Sequence, residues 1–126
     1  MSPAATSPPA TVFREFLDSG RLGFQICASC EQSVFYPRVL CPHCGGQDLR
    51  WRESAGTGTV YSTTTVCRRN ETYNVALVDL DEGFRMMTRV EDTPPEDVRI
   101  GMRVLLQVRH DPDRSEPVAV FVPAEA

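Results

Sequence analysis

From Val12 to Ser19 the chain reads VFREFLDS, with Phe13, Phe16 and Leu17 spaced i, i+3, i+4. That spacing is one stripe of a helix, and Gly20 follows where helices commonly close in a left-handed residue. A short amphipathic helix is predicted over 12–19. About two turns are marginal in isolation, so the apolar stripe must dock on something, in this chain or in a partner. After Trp51 the pattern changes to a period of two. The segments GTGTVYSTTTV (56–66), TYNVALVDL (72–80), FRMMTRV (84–90), MRVLLQVRH (102–110) and PVAVFV (117–122) are rich in β-branched residues, and turn-forming stretches such as DEG, EDTPPEDVRIG and DPDRSE separate several of them. Five short strands without a long helix predict a small all-β barrel, and the oligonucleotide/oligosaccharide-binding barrel (OB-fold) is the five-stranded solution of that size. Alternation assigns Val60, Val75, Leu77, Phe84, Met86, Val104, Leu106 and Val120 to the interior, although residues 72–80 are apolar on both faces.

Between helix and barrel lies CASCEQSVFYPRVLCPHC, Cys27 to Cys44, with two CxxC pairs ten residues apart. A CxxC turn can place two thiolates on one metal, and two such turns joined by a short ribbon complete a tetrahedron. SVFYPRVL can form one arm of that ribbon. Gly45 can take the left-handed conformation that turns backbone N–H groups toward sulfur; Glu31 stands at the equivalent place in the first pair, at a cost of roughly 1 kcal/mol. The reading is one structural zinc per chain on Cys27, Cys30, Cys41 and Cys44. The competing chemistries for the same spacing are two disulfides and a rubredoxin-like iron centre. His43 reads as a solvent-facing spacer and Cys67 as a plain thiol near a strand end.

Composition narrows the picture. The formal charge is −4, and every one of the 13 basic residues is Arg. That balance argues against general nucleic-acid binding. No run is long enough for a membrane helix, and MSPAATSPPAT has neither the basic nor the apolar region of a secretory signal. It reads as a disordered tail over 1–11, followed by helix and ribbon over 12–52 and the barrel over 53–126. A cytoplasmic location is expected, where cysteines stay reduced and metal is favoured over disulfide.

In this order and spacing, FREFLDSGRLGFQICASC, YPRVLCPHCGG, SAGTGTVYSTTTV, YNVALVDLDEGFRMMTRV and IGMRVLLQV are similar to the bacterial and archaeal acyl-CoA-associated proteins catalogued as domain of unknown function thirty-five. The resemblance covers about 12–123 and departs at Glu31 and Thr72. It implies an N-terminal helix, a rubredoxin-like zinc ribbon and a C-terminal OB-fold. It also implies an accessory role beside a thiolase-superfamily catalytic subunit, with acyl-CoA at a shared site and hotdog-fold hydratases as a second class of partner.

The residues themselves supply no catalyst. His43 and His110 have no nucleophile or orienting acid beside them, and Asp79/Asp81 and Asp111/Asp113 fall at or near turns. The alternative reading, an OB-fold nucleic-acid module, needs a basic groove and stacking aromatics such as Tyr61, Tyr73 and Phe84, which alternation assigns mostly to packing. For an accessory subunit, Arg38, Arg68 and Arg69 are the candidates for CoA phosphates. Phe13, Phe16, Leu17 and Tyr36 are the candidates for partner docking.

Overall fold

The computed structural model of the chain describes residues 8–110 and 116–124. Most of the N-terminal tail and of the DPDRSE turn, with Asp111 and Asp113, lies outside the described residues. Helix α1 spans Pro9–Asp18, beginning earlier than expected because proline suits the first helical turn, where its missing N–H is not needed. It closes with the Gly20 N–H donating to Leu17 C=O at 2.9 Å. Its stripe folds onto this chain. Leu17 is buried, Phe16 stacks on Trp51 at 5.7 Å, and Phe13 meets Phe35 edge-on at 5.6 Å. The helix approaches so closely that a Cβ on Gly23 would collide with the Phe16 ring.

Gly23 opens β1 (Gly23–Cys27), the centre of a three-stranded antiparallel sheet with β2 (Ser33–Val34) and β3 (Leu49–Glu53). Only the first two residues of SVFYPRVL form a strand; the rest is a loop. Beyond it run β4 (Thr57–Arg68), β5 (Glu71–Leu80), β6 (Arg85–Thr88), β7 (Arg103–Arg109) and β8 (Val118–Pro123), hydrogen-bonded in the order β6-β5-β4-β7-β8. Val90 bridges Phe121 in parallel, with Phe121 N–H donating to Arg89 C=O and Glu91 N–H to Phe121 C=O. That bridge brings the two sheet edges together as an OB-type barrel. The β4–β5 ladder continues to Arg68↔Glu71, whereas β7 pairs with β4 only along Thr57–Thr59. The hairpin therefore extends past the barrel as a two-stranded arm.

The core differs from expectation on β5. Ala76, Val78 and Leu80 are buried, while Val75 and Leu77 lie half-buried on the other face. Alternation could not decide between two apolar faces, and pairing did: Val78 sits opposite Val60, with a bulge just beyond between Val60 and Ser62. Val60, Phe84, Met86 and Val104 join the core as expected, with Leu106 packed against it. On β8 the core residue is Phe121; Val120 is buried but stands outside the main cluster. The same cluster contains Leu17, Leu22 and Phe24, so helix, ribbon and barrel share one apolar interior. Phe24 and Phe35 both pack on Phe84, at 4.9 and 4.8 Å. Glu82 adds a polar clasp: its carboxylate accepts from Ser54 Oγ and Ala55 N–H, and its carbonyl accepts from Ser33 Oγ, each at 2.8 Å.

Candidate metal centre and partner surface

Each CxxC folds into the same turn. Glu31 N–H donates to Cys27 C=O at 2.7 Å, and Gly45 N–H to Cys41 C=O at 2.8 Å. Both residues following the second cysteine are left-handed, Glu31 at φ 64 and Gly45 at φ 78. This is the geometry that glycine takes freely and glutamate at some cost. The turns also aim amides at sulfur: His43 N–H donates to Cys41 Sγ at 3.3 Å and Gly46 N–H to Cys44 Sγ at 3.4 Å.

The four Sγ atoms of Cys27, Cys30, Cys41 and Cys44 lie within 4.8 Å of one another. Cys27 and Cys44 are separated by 3.6 Å and Cys30 and Cys41 by 3.7 Å. These are free thiols, not disulfides. A tetrahedron of thiolates at ~2.3 Å from a central ion has edges of about 3.8 Å, so the donor set fits a four-sulfur metal site. The protons point the same way. The Cys30 N–H, with help from that of Ser29, holds the Cys27 thiol down at about 6. The Gln32 N–H pulls the Cys30 thiol down, but burial and the crowding sulfurs of Cys41, Cys27 and Cys44 outweigh it, and that thiol rises to about 12. Four thiolates at this spacing repel one another, so full ionisation requires a cation among them.

Of the helix residues named as docking candidates, Leu17 is buried, and Phe13 and Phe16 are half-buried against Phe35 and Trp51. Tyr36 is different. It is exposed, and its hydroxyl accepts from the Met87 N–H at 3.2 Å, tying the ribbon loop to β6. Arg38 stands exposed on that loop, and Arg68 and Arg69 stand at the tip of the β4–β5 arm. None of the three guanidinium groups has an ion-pair or hydrogen-bond partner among the described residues. Other arginines are committed. Arg85 pairs with Asp79 and lies over the Tyr61 ring, and Arg103 pairs with Asp81. Asp79 at the end of β5 and Asp81 just beyond it are therefore partners of these cations, and Arg103 holds the Asp81 carboxyl below its ordinary range.

Sequence reasoning missed a groove of about 550 Å³ whose walls include Tyr73, Val75, Met87, Arg89, Val118 and Val120. The β5–β6 hairpin and the sequence-distant β8 assemble it, so no local motif marks it.

Two family models match consecutive stretches of this chain: residues 14–50 fit the ChsH2 rubredoxin-like zinc ribbon domain and residues 51–109 the ChsH2 C-terminal OB-fold domain. A DUF35 domain-containing scaffold protein of Pyrococcus furiosus is 32% identical over 107 residues, which cover 77% of this chain and 75% of the relative. The chain belongs to the DUF35 family. Among solved structures it is similar to a chain of the "Ltp2-ChsH2(DUF35) aldolase", at 36% identity and a TM-score of 0.81, with 98% of this chain and 99% of that one covered. A protein of Thermomonospora curvata named "Probable enoyl-CoA hydratase alpha subunit" is 40% identical over 110 residues. The match covers 82% of this chain but spans only 34% of that relative's length. No helix among the described residues is long and apolar enough to cross a membrane.

Proposed function

We propose that this chain is a non-catalytic accessory subunit that docks on a thiolase-superfamily enzyme, an acyltransferase or a carbon–carbon-cleaving aldolase, and helps form the path of its acyl-CoA substrate. One observation carries the reading: the whole-length likeness to a component of the Ltp2-ChsH2(DUF35) aldolase. The site chemistry supports it. Zinc, one per chain, is the ion that four thiolates in a closed tetrahedron suit best, and with no open position it holds structure rather than activating water. Neither histidine has a nucleophile or orienting acid beside it among the described residues: His43 Nε2 faces the Ser33 carbonyl at 3.4 Å, and His110 is exposed after β7. The reactive groups therefore belong to the partner.

The guanidinium groups of Arg68 and Arg69, without partners among the described residues, suit the phosphates of CoA, to which arginine offers paired donors. The groove beside β6 and β8 offers an apolar wall to the rest of the path. The hydratase-named relative makes a hotdog-fold hydratase a second partner class to test. The experiment is to express an Ltp2-type, thiolase-fold aldolase subunit with and without this chain and to follow acyl-CoA turnover. Activity or solubility that depends on this chain supports the reading. An enzyme indifferent to it, or turnover by this chain alone, overturns it.

A further inference from the structure

The loop after β2, Tyr36–Leu40, is solvent-facing, yet it is braced from below by a buried residue. Gln25 on β1 is 3% exposed and spends its whole amide on one residue of that loop. Its Nε2 donates to Arg38 C=O at 2.9 Å, and its Oε1 accepts from Arg38 N–H at 2.7 Å. The Tyr36 hydroxyl fixes the other end to β6 through Met87 N–H. A loop pinned at two points presents its side chains in one arrangement, and what it presents is apolar. Val39 is 71% exposed, Met87 61%, Tyr36 52% and Leu40 49%. Three of these lie on the loop itself, and the fourth is bonded to it. Arg38, in their midst, is the one formal charge on the loop, and its guanidinium has no partner among the described residues. Behind Tyr36 and Pro37 a groove of about 320 Å³, walled also by Phe13 and Leu17, is open to an incoming side chain.

We infer that the Tyr36–Leu40 loop, held in its binding shape by Gln25, anchors the contact with the catalytic partner, an aldolase-class subunit that offers an apolar recess rimmed by a carboxylate for Arg38. The inference rests on the accessory-subunit reading and adds to it where the partner binds. Its logic is that of an interface hot spot: large apolar side chains at the centre, a charge beside them, and ordering entropy removed before the encounter. The charge complement follows from Arg38, since burying an unpaired guanidinium would oppose binding. A loop this small is the anchor of a larger interface, because a stable one needs roughly 800 Å² from each side. Gln25 is then a positioning residue, acting through the loop and not by touching the partner.

The experiment titrates the metal-loaded chain against a purified aldolase subunit of the Ltp2 type. Val39→Ser with Leu40→Ser, both surface changes, is expected to weaken binding by about 30-fold or more with melting temperature and metal content unchanged. Gln25→Leu is expected to weaken it about tenfold, with faster hydrogen exchange at the Arg38 amide as the signature of a loosened loop. If the wild-type chain binds and the double variant binds within about threefold of it, the loop is not the anchor, although the accessory reading stands. If the wild-type chain does not bind at all, both fall.

Discussion

Cys44 sits exposed at the rim of the metal site, 3.6 Å from the buried Cys27. Replacing it by serine removes one corner of the tetrahedron while leaving the surrounding core untouched. Cys44→Ser is expected to lose the zinc, read by elemental analysis against one equivalent in the wild type, and to lose ribbon order while the barrel stays folded. Iron in the native protein would contradict the assignment. A second residue-scale effect concerns protons. Arg103 donates two hydrogen bonds to the Asp81 carboxylate, at 2.9 and 2.8 Å, and so depresses its pKa. A depressed carboxylate contributes stability that is complete above the ordinary carboxylate range and fades as pH falls through its folded value. Asp81→Asn should therefore lower the melting temperature slightly at neutral pH, and the gap should close in acid; added salt should shrink it as well, because the pair is exposed. A gap that widens in acid would reverse the sign and refute the pairing. At this scale the sequence was informative where chemistry repeats a spacing: two CxxC turns and the left-handed position of Glu31 were legible before any coordinates. The partners of Asp79 and Asp81 were not, because Arg85 and Arg103 reach them only through strand pairing.

Elements were legible as elements, but less so as faces. The helix stripe was clear, yet amphipathicity says only that a face is covered, not by what; Phe16 on Trp51 and Phe13 on Phe35 answer from within the chain. Strands β1 and β3 escaped notice because GFQIC and LRWRE show no alternation strong enough to announce them. On β5 both faces are apolar, and the choice was made by pairing with β4. That choice is testable. Val78→Ala should cost about 2–3 kcal/mol, as for a buried side chain cut to methyl, whereas Leu77→Ala, on the half-buried outer face, should cost less than half of that. Equal costs measured by denaturant unfolding would put the strand in the other register. Glu82 makes a further test, since its carboxylate alone accepts from Ser54 Oγ and Ala55 N–H. Glu82→Ala is expected to cost about 1–3 kcal/mol by leaving those donors without an acceptor, with zinc content unchanged.

At the scale of the whole molecule, a four-cysteine cluster gathers the turns of a small ribbon, and a shared apolar core fixes that ribbon to an OB barrel. The braced loop, the extended β4–β5 arm and the free arginines all face outward, where another protein and an anionic substrate would meet them. The central claim is therefore one of assembly, and the most direct measurement is the mass of the assembly. Co-expression with an Ltp2-type, thiolase-fold aldolase subunit, followed by size exclusion with light scattering, should give a single species containing both chains in fixed ratio and turning over acyl-CoA faster than that subunit alone. Two separate peaks, with the enzyme fully active in its own, would contradict the account.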